Sequence, residues 1–226
     1  GAMSQPNHKG HIPLDFVKDS DRPKFEALFV TLAEIPATSL TFKRSDVLGK
    51  GPWGSVYKGV WTGSNVALKL ISLHNTSNLQ AFAKGAKVMA SLHNSHLVRL
   101  YGLSRAGEEL GMVMEYCKGG GLDKRLRIKE GNEGYLTWQM KLQMAEQMCA
   151  GVAFLHSKGI LHRDIKSTNV VIDENNNVKL SDYMGLSRVM NMSFAATIYE
   201  QIGTPAWMAP ELFRQIHQLQ QLQQQQ

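Results

Sequence analysis

Two cysteines, Cys117 and Cys149, in a chain of 226 residues provide no disulfide framework. A reducing compartment, and with it a cytoplasmic location, is therefore the expectation. Long apolar runs are missing too, so no membrane segment is expected. No signal peptide is visible at the start, where Gly1-Ala2-Met3 reads as a cleavage remnant. There is also no basic stripe interleaved with aromatics. The net charge is +6 but lysines and arginines are scattered, which implies a solvated basic surface and no nucleic-acid partner. What is present is ample apolar content, 43% of residues, enough to build the core of one large domain or two small lobes.

The most informative stretch runs from Leu161 to Gly185. It sets Asp164, Lys166 and Asn169 on one short loop and then returns to Asp182. One carboxylate can accept the proton of an attacking hydroxyl, while the second, helped by the asparagine amide, can hold magnesium against a triphosphate. Between the aspartates, Asn169-Val170-Val171-Ile172 and Val178-Lys179-Leu180 are β-rich runs around the turn-forming Asp173 to Asn177, which predicts a hairpin. A polar loop followed by a hairpin accounts for any two of these residues. It accounts poorly for His-Arg-Asp with a lysine two residues on and an asparagine five on.

A second stretch, Leu48 to Gly59, carries glycines at 49, 51 and 54 between β-rich runs, with Trp53 at its tip. Glycines let backbone approach phosphates. Alone the pattern is weak, because dinucleotide loops share it, but those open a helix and here a strand follows. The next run, Val66-Ala67-Leu68-Lys69-Leu70, reads as a strand bearing one lysine. On a strand after a phosphate loop, that lysine is placed to reach the phosphates.

Together these strings resemble the catalytic domain of eukaryotic protein kinases, from about Thr41 to Glu211. Within that family the chain is similar to the tyrosine-kinase-like group of serine/threonine kinases, on the strength of Trp61 before Ala67-Leu68-Lys69 and of Lys166 in the loop from His162 to Asn169. The resemblance implies an α+β, bilobal fold: a small antiparallel β-sheet lobe with one helix, and a mainly helical large lobe that is incomplete at its C-terminal end. It implies ATP and Mg2+ as cofactors and a protein substrate phosphorylated on serine or threonine. By resemblance Asp164, Lys166 and Lys69 are catalytic, and Asn169 and Asp182 hold the metal. The nucleotide pocket then takes in Gly49, Gly51, Trp53, Gly54, Val56, Ala67, Lys69, Met114, Glu115, Cys117 and Val171. Met114 guards the back of that pocket and the backbone of Glu115 to Cys117 is the hinge. Cys117 also reads as an ordinary semi-buried thiol.

The expected organisation is an extension over residues 1–40, a small lobe over 41–117, a partial large lobe over 118–213 and a Gln-rich tail over 214–226. In the extension a helix is expected from Ser20, with Phe25, Leu28, Phe29 and Leu32 on one face, ending at Ile35-Pro36. A helix is expected from Asn78 to Leu92, with Leu79, Phe82, Val88, Met89 and Leu92 as its apolar positions. Strands are expected over 97–102 and 110–116, joined by a turn over 104–109. A short helix follows from Leu122 to Lys129, and a long one from Thr137 to Lys158, capped by Thr137, with Leu142, Ala145, Met148, Val152 and Leu155 facing inward.

Three departures from the family pattern bear on activity. The helix glutamate that pairs with the strand lysine aligns with Gly85, a poor helix former. Asp182-Tyr183-Met184-Gly185 has one residue more than Asp-Phe-Gly. The helices that follow Glu211 in the family are replaced by a Gln- and Leu-rich tail. An active serine/threonine kinase and a nucleotide-binding pseudokinase or scaffold both remain open, as does self-association through the incomplete large lobe or the tail. Leu186 to Ile202 is the expected activation segment. Ser187, Ser193, Thr197 and Tyr199 are candidate phosphate acceptors, Arg163 is their natural partner, and Thr204 is expected near Asp164 and Lys166.

Overall fold

The computed structural model describes residues 26, 32–51, 54–72, 76–106, 109–183, 188–189, 204–212, 214 and 221. Five strands, β1 (Leu40–Gly51), β2 (Gly54–Trp61), β3 (Ser64–Ser72), β4 (Leu100–Ala106) and β5 (Glu109–Glu115), form one antiparallel sheet in the order β1-β2-β3-β5-β4. The β2–β3 hairpin turns through Thr62 and Gly63, both at positive φ, the geometry that a tight two-residue turn requires.

The central strand β3 is buried on both faces from Val66 to Ile71, and it sorts its side chains with period two. Ala67 and Ile71 join the main core under the helix α1 (Thr76–Ser91), where Phe82, Ala86 and Met89 are buried at helical spacing, with Leu92 buried just past its end. Val66, Leu68 and Leu70 face the other way, onto Tyr57, Val113 and Ile35. Lys69 therefore shares the side of Ala67 and Ile71, the side that looks toward α1 and the second lobe.

The chain before β1 protects the outer edge of the sheet. Ile35 donates its N–H to the Leu103 carbonyl at 2.7 Å, and the Leu103 N–H reaches the Ala33 carbonyl at 2.9 Å. An unpaired edge strand is thereby covered. Gly102 makes the approach possible, since a Cβ there would lie 2.4 Å from the Ala33 oxygen. Arg105, almost fully buried on β4, is ion-paired with Glu34 at 3.6 Å. Of the helix expected from Ser20, Glu26 is helical and Leu32 buried; the rest lies outside the described residues.

The second lobe contains β6 (Gly120–Gly121), α2 (Leu122–Arg125), α3 (Trp138–Ser157), β7 (Ile160–Leu161), β8 (Val170–Ile172), β9 (Val178–Leu180) and β10 (Arg188–Val189). The sheets run β6-β8-β9 and β10-β7. The β8–β9 hairpin is the expected one, its turn held by Asp173, whose carboxylate accepts from the backbone of Asn175 and Asn177 at 2.8 Å each. Segment 96–98 of the first lobe is laced to β9: the Val98 N–H donates to the Leu180 carbonyl at 3.0 Å, and the Leu180 N–H to that of His96 at 2.8 Å.

Three expectations are corrected. Ser104, Arg105, Ala106 and Glu109 belong to strands rather than to a turn, because the ladder Ser104–Gly111, Arg105–Leu110, Ala106–Glu109 runs on to the hairpin tip, while Leu97 and Val98 leave the sheet to meet β9. The helix after Gly121 has four residues, and the chain then tightens into turns at Arg127 and Ile128. Thr137 does cap α3, its hydroxyl accepting from the Met140 N–H at 3.3 Å, and Met148, Val152 and Leu155 face the core as expected, but Leu142 and Ala145 do not. Met144, Gly151 and Leu155 are buried, Leu142 is 63% exposed and Ala145 is exposed. Apolar residues occur around most of this helix, so periodicity does not choose a face. The close approach at Gly151 does, where a Cβ would meet the His96 carbonyl and the Leu180 side chain at 3.1 Å.

Candidate active site

The loop between β7 and β8 carries the predicted catalytic residues and is held by its own polar groups. Arg163 and Asp182 both adopt positive φ, 67° and 59°, a region that costs non-glycine residues energy and persists only where the surroundings over-determine it. His162, buried, supplies part of that restraint. Its Nδ1 accepts from the Asp164 N–H at 3.3 Å, which leaves Nε2 to donate to the Ser181 carbonyl at 3.1 Å. One neutral tautomer thus ties the Asp164 turn to the strand end that precedes Asp182. Burial lowers the imidazole pKa, a tendency that the Ser181 carbonyl partly opposes.

Asp164 gathers three donors. Lys166 Nζ lies 2.7 Å from Oδ2, Asn169 Nδ2 donates to Oδ2 and to the Asp164 carbonyl at 2.9 Å each, and the Thr204 hydroxyl donates to Oδ1 at 2.6 Å. Lys166 Nζ also donates to that hydroxyl, at 2.7 Å. Burial alone would push the Asp164 carboxyl pKa up; the hydrogen bonds from Lys166, Thr204 and Asn169 outweigh it and hold the group below the ordinary carboxylate value. Asn169 sits in a 3-10 turn over Ser167–Asn169, and its carbonyl accepts from the Ser181 N–H at 2.8 Å and from the Ser181 hydroxyl at 3.1 Å. The two metal-ligand candidates are thus joined through one residue.

Lys69, whose side chain is 8% exposed, places Nζ 2.5 Å from Asp182 Oδ1. No aspartate or glutamate occurs between Val47 and Gly107, so neither α1 nor its flanking strands contains a carboxylate that could take this lysine. Gly85 is buried on α1, and the pairing partner comes from the other lobe.

The other residues expected at a nucleotide lie on the sheet and on β8. Ala67 pairs across the sheet with Met114, both buried, and Val56 pairs with Lys69. Val171 is half-buried on β8, beside Gly121 and Lys179. Glu115, at the end of β5, is linked through Oε1 to Lys179 Nζ at 3.0 Å, and its Oε2 accepts from the Arg99 N–H at 3.3 Å. Burial, reinforced by Glu115, pushes the Cys117 thiol up to about 12, so the ordinary buried thiol is the reading that holds. Gly49 and Gly51 have no atom within 4 Å of where a Cβ would stand, so packing does not demand glycine at either position. Gly54 differs: at φ 111° its Cβ would lie 2.1 Å from the Leu70 carbonyl, so strand packing demands glycine there. Trp53, Met184, Ser187, Ser193, Thr197 and Tyr199 lie outside the described residues.

Sequence reasoning missed the Glu115–Lys179 link and the hydroxyl of Tyr183, which donates to the Val98 carbonyl at 2.9 Å from a fully buried ring. A tyrosine in a buried aromatic position was the available signal, since its hydroxyl has to find a partner.

The family profile described as protein tyrosine and serine/threonine kinase matches residues 42–221. Among curated proteins the chain is similar to leaf rust 10 disease-resistance locus receptor-like protein kinase-like 1.1 of Arabidopsis thaliana, with 35% identity over 85% of this chain and 31% of that protein. It is also similar to the dual specificity protein kinase shkB of Dictyostelium discoideum, with 34% identity over 79% of this chain and 28% of that protein. A probable L-type lectin-domain containing receptor kinase of Arabidopsis thaliana is 34% identical over 80% of this chain and 28% of its own length. The chain thus spans about a third or less of these relatives. Among the described residues, no helix is long and apolar enough to cross a membrane.

Proposed function

The chain belongs to the protein tyrosine and serine/threonine kinase family, and on that premise we propose that it transfers the γ-phosphate of ATP to serine or threonine hydroxyls of proteins. One observation carries the reading. The Thr204 hydroxyl is gripped from both sides, donating to Asp164 Oδ1 at 2.6 Å and accepting from Lys166 Nζ at 2.7 Å. An incoming hydroxyl at that place would meet the same pair, a carboxylate to take its proton and a cation beside the oxygen. Trp61 and Lys166, the residues that carry that resemblance, support placement in the tyrosine-kinase-like group.

The residues fit Mg2+-ATP by the chemistry of their donors. Lys69 offers a buried cation to phosphate oxygens, and Asp182 a carboxylate and Asn169 an amide to a hard cation. When bound, Mg2+-ATP supplies the electrophilic phosphoryl group and neutralises its developing charge. The residues of the chain do the rest. Asp164, kept ionised by its three donors, orients the hydroxyl and receives its proton, and Lys166 stabilises charge on the transferring oxygens. His162 and Asn169 hold Asp164 in register with Asp182.

A second reading, a nucleotide-binding pseudokinase with weak or no transfer, is favoured by the absence of any carboxylate from α1. Phosphotransfer from radiolabelled ATP to a generic basic protein separates the two. Asp164→Asn is expected to abolish incorporation, and equal incorporation by both proteins removes the kinase reading. Melting with Mg2+-ATP supplies the other arm, since nucleotide at 100 times its dissociation constant adds about 2.7 kcal/mol of stability whether or not transfer follows.

A further inference from the structure

Asp182 sits between two attachments to one residue of the opposite lobe. On its N-terminal side the Leu180 carbonyl accepts from the Val98 N–H at 3.0 Å; on its C-terminal side the Tyr183 hydroxyl donates to the Val98 carbonyl at 2.9 Å. Val98 is 5% exposed and Tyr183 is fully buried, so neither polar group has bulk water as a substitute. The bracket encloses a residue at φ 59°, a left-handed conformation that aspartate tolerates better than most side chains but that still has to be held in place. The same aspartate is the carboxylate that holds Lys69, in a lobe with no acidic residue between Val47 and Gly107.

We infer that Tyr183 is a positioning residue whose hydroxyl, by bridging to Val98, fixes Asp182 in the conformation that holds Lys69 and faces the nucleotide phosphates. A phenylalanine would fill the same volume against His162, whose ring centroid lies 6.3 Å away, but would leave the Val98 carbonyl buried without this donor and the Asp182 turn tethered on one side only. The device does for this chain what a helix carboxylate would do for Lys69, from the opposite lobe. Its consequence for nucleotide rests on the kinase reading; its geometry does not.

Tyr183→Phe tests the idea by removing a single oxygen. In the nucleotide-free full chain, acetylation of individual lysines by a small amine-reactive ester is followed by mass spectrometry. Lys69 is expected to react about tenfold faster in the variant, the factor that loss of one hydrogen bond permits, while Lys166 reacts at an unchanged rate. In an Asp182→Asn background, adding Tyr183→Phe is expected to change nothing, because the two act through one contact. In the second arm, ATP affinity in EDTA is expected to be the same for both proteins, and the gain in affinity on adding magnesium to shrink about tenfold in the variant. Equal Lys69 rates overturn the inference, and so does a parallel rise at Lys69 and Lys166, which would mark general loosening. A wild-type chain that binds no Mg2+-ATP removes the kinase reading while the acetylation arm still decides the role of Tyr183.

Discussion

Lys69 and Asp182 lie 113 residues apart in sequence and 2.5 Å apart in space, a cation from one lobe held by a carboxylate from the other. As long as they hold each other, the carboxylate oxygen on the lysine is committed. Gly85→Glu would place a carboxylate on α1 in addition to removing a helix-interior glycine that costs about 1 kcal/mol relative to alanine. Phosphotransfer to a basic protein is expected to rise in this variant. Unchanged or lower incorporation would mean that Lys69 is already adequately placed by Asp182.

Thr204 should matter through its hydroxyl alone. Thr204→Val removes a donor to Asp164 and an acceptor for Lys166, and about a tenfold loss of transfer is expected, on the order of one hydrogen bond to a charged group. Thr204→Ser is expected to retain activity. Loss of a bond that keeps the carboxyl acidic should also move the acid limb of the pH–rate profile to higher pH in the valine variant.

His162 predicts a pH dependence of stability. Burial holds its folded pKa below the usual 6.5. Above that value the ring is neutral in both states and the fold keeps its full stability. As pH falls below it, the unfolded chain takes up a proton that the folded chain resists until its own lower pKa, so the free energy of unfolding decreases. Urea midpoints should therefore fall between about pH 7.5 and about pH 5.5, and His162→Asn should flatten the slope. Asp164, with a pKa lowered from 3.8, titrates below this window.

Gly102→Ala should undock the segment before β1. The new methyl would stand 2.4 Å from the Ala33 oxygen, a backbone atom that cannot rotate away. A loss of roughly 1–3 kcal/mol is expected, as for overpacking, with faster amide exchange at Ile35 and Leu103. Gly49→Ala, with no atom within 4 Å, should leave the melting temperature unchanged. Equal melting of both variants would show that the edge segment contributes nothing to stability.

Much of the site was legible because its residues come as strings with fixed spacing. His162, Asp164, Lys166 and Asn169 fall within eight positions, and a hairpin carries the chain on to Asp182. The sheet was legible for a similar reason: short β-rich runs beside glycines, as at Val66 to Leu70 after Leu48 to Gly59, are local signals. The inward face of α3 was legible only in part, at Met148, Val152 and Leu155, because apolar residues surround that helix and a contact at Gly151, made by His96 and Leu180, decides its rotation. The bracket on Val98 was equally hidden. It depends on a hydroxyl meeting a carbonyl 85 residues away, a pairing that no periodicity encodes.

The stretch from Val47 to Gly107 holds seven of the 25 lysines and arginines and none of the 19 acidic residues, so the remaining 18 basic and 19 acidic residues nearly cancel. The positive net charge of the molecule is therefore matched by this one stretch, which also contributes Lys69 to the site. A triphosphate is drawn toward such a stretch by a field as well as by contacts, and the field is screened over about 8 Å at physiological salt. Ionic strength becomes a control on capture: the nucleotide association rate should fall with added salt, whereas the Lys69–Asp182 pair, in direct contact and buried on its lysine side, should respond less.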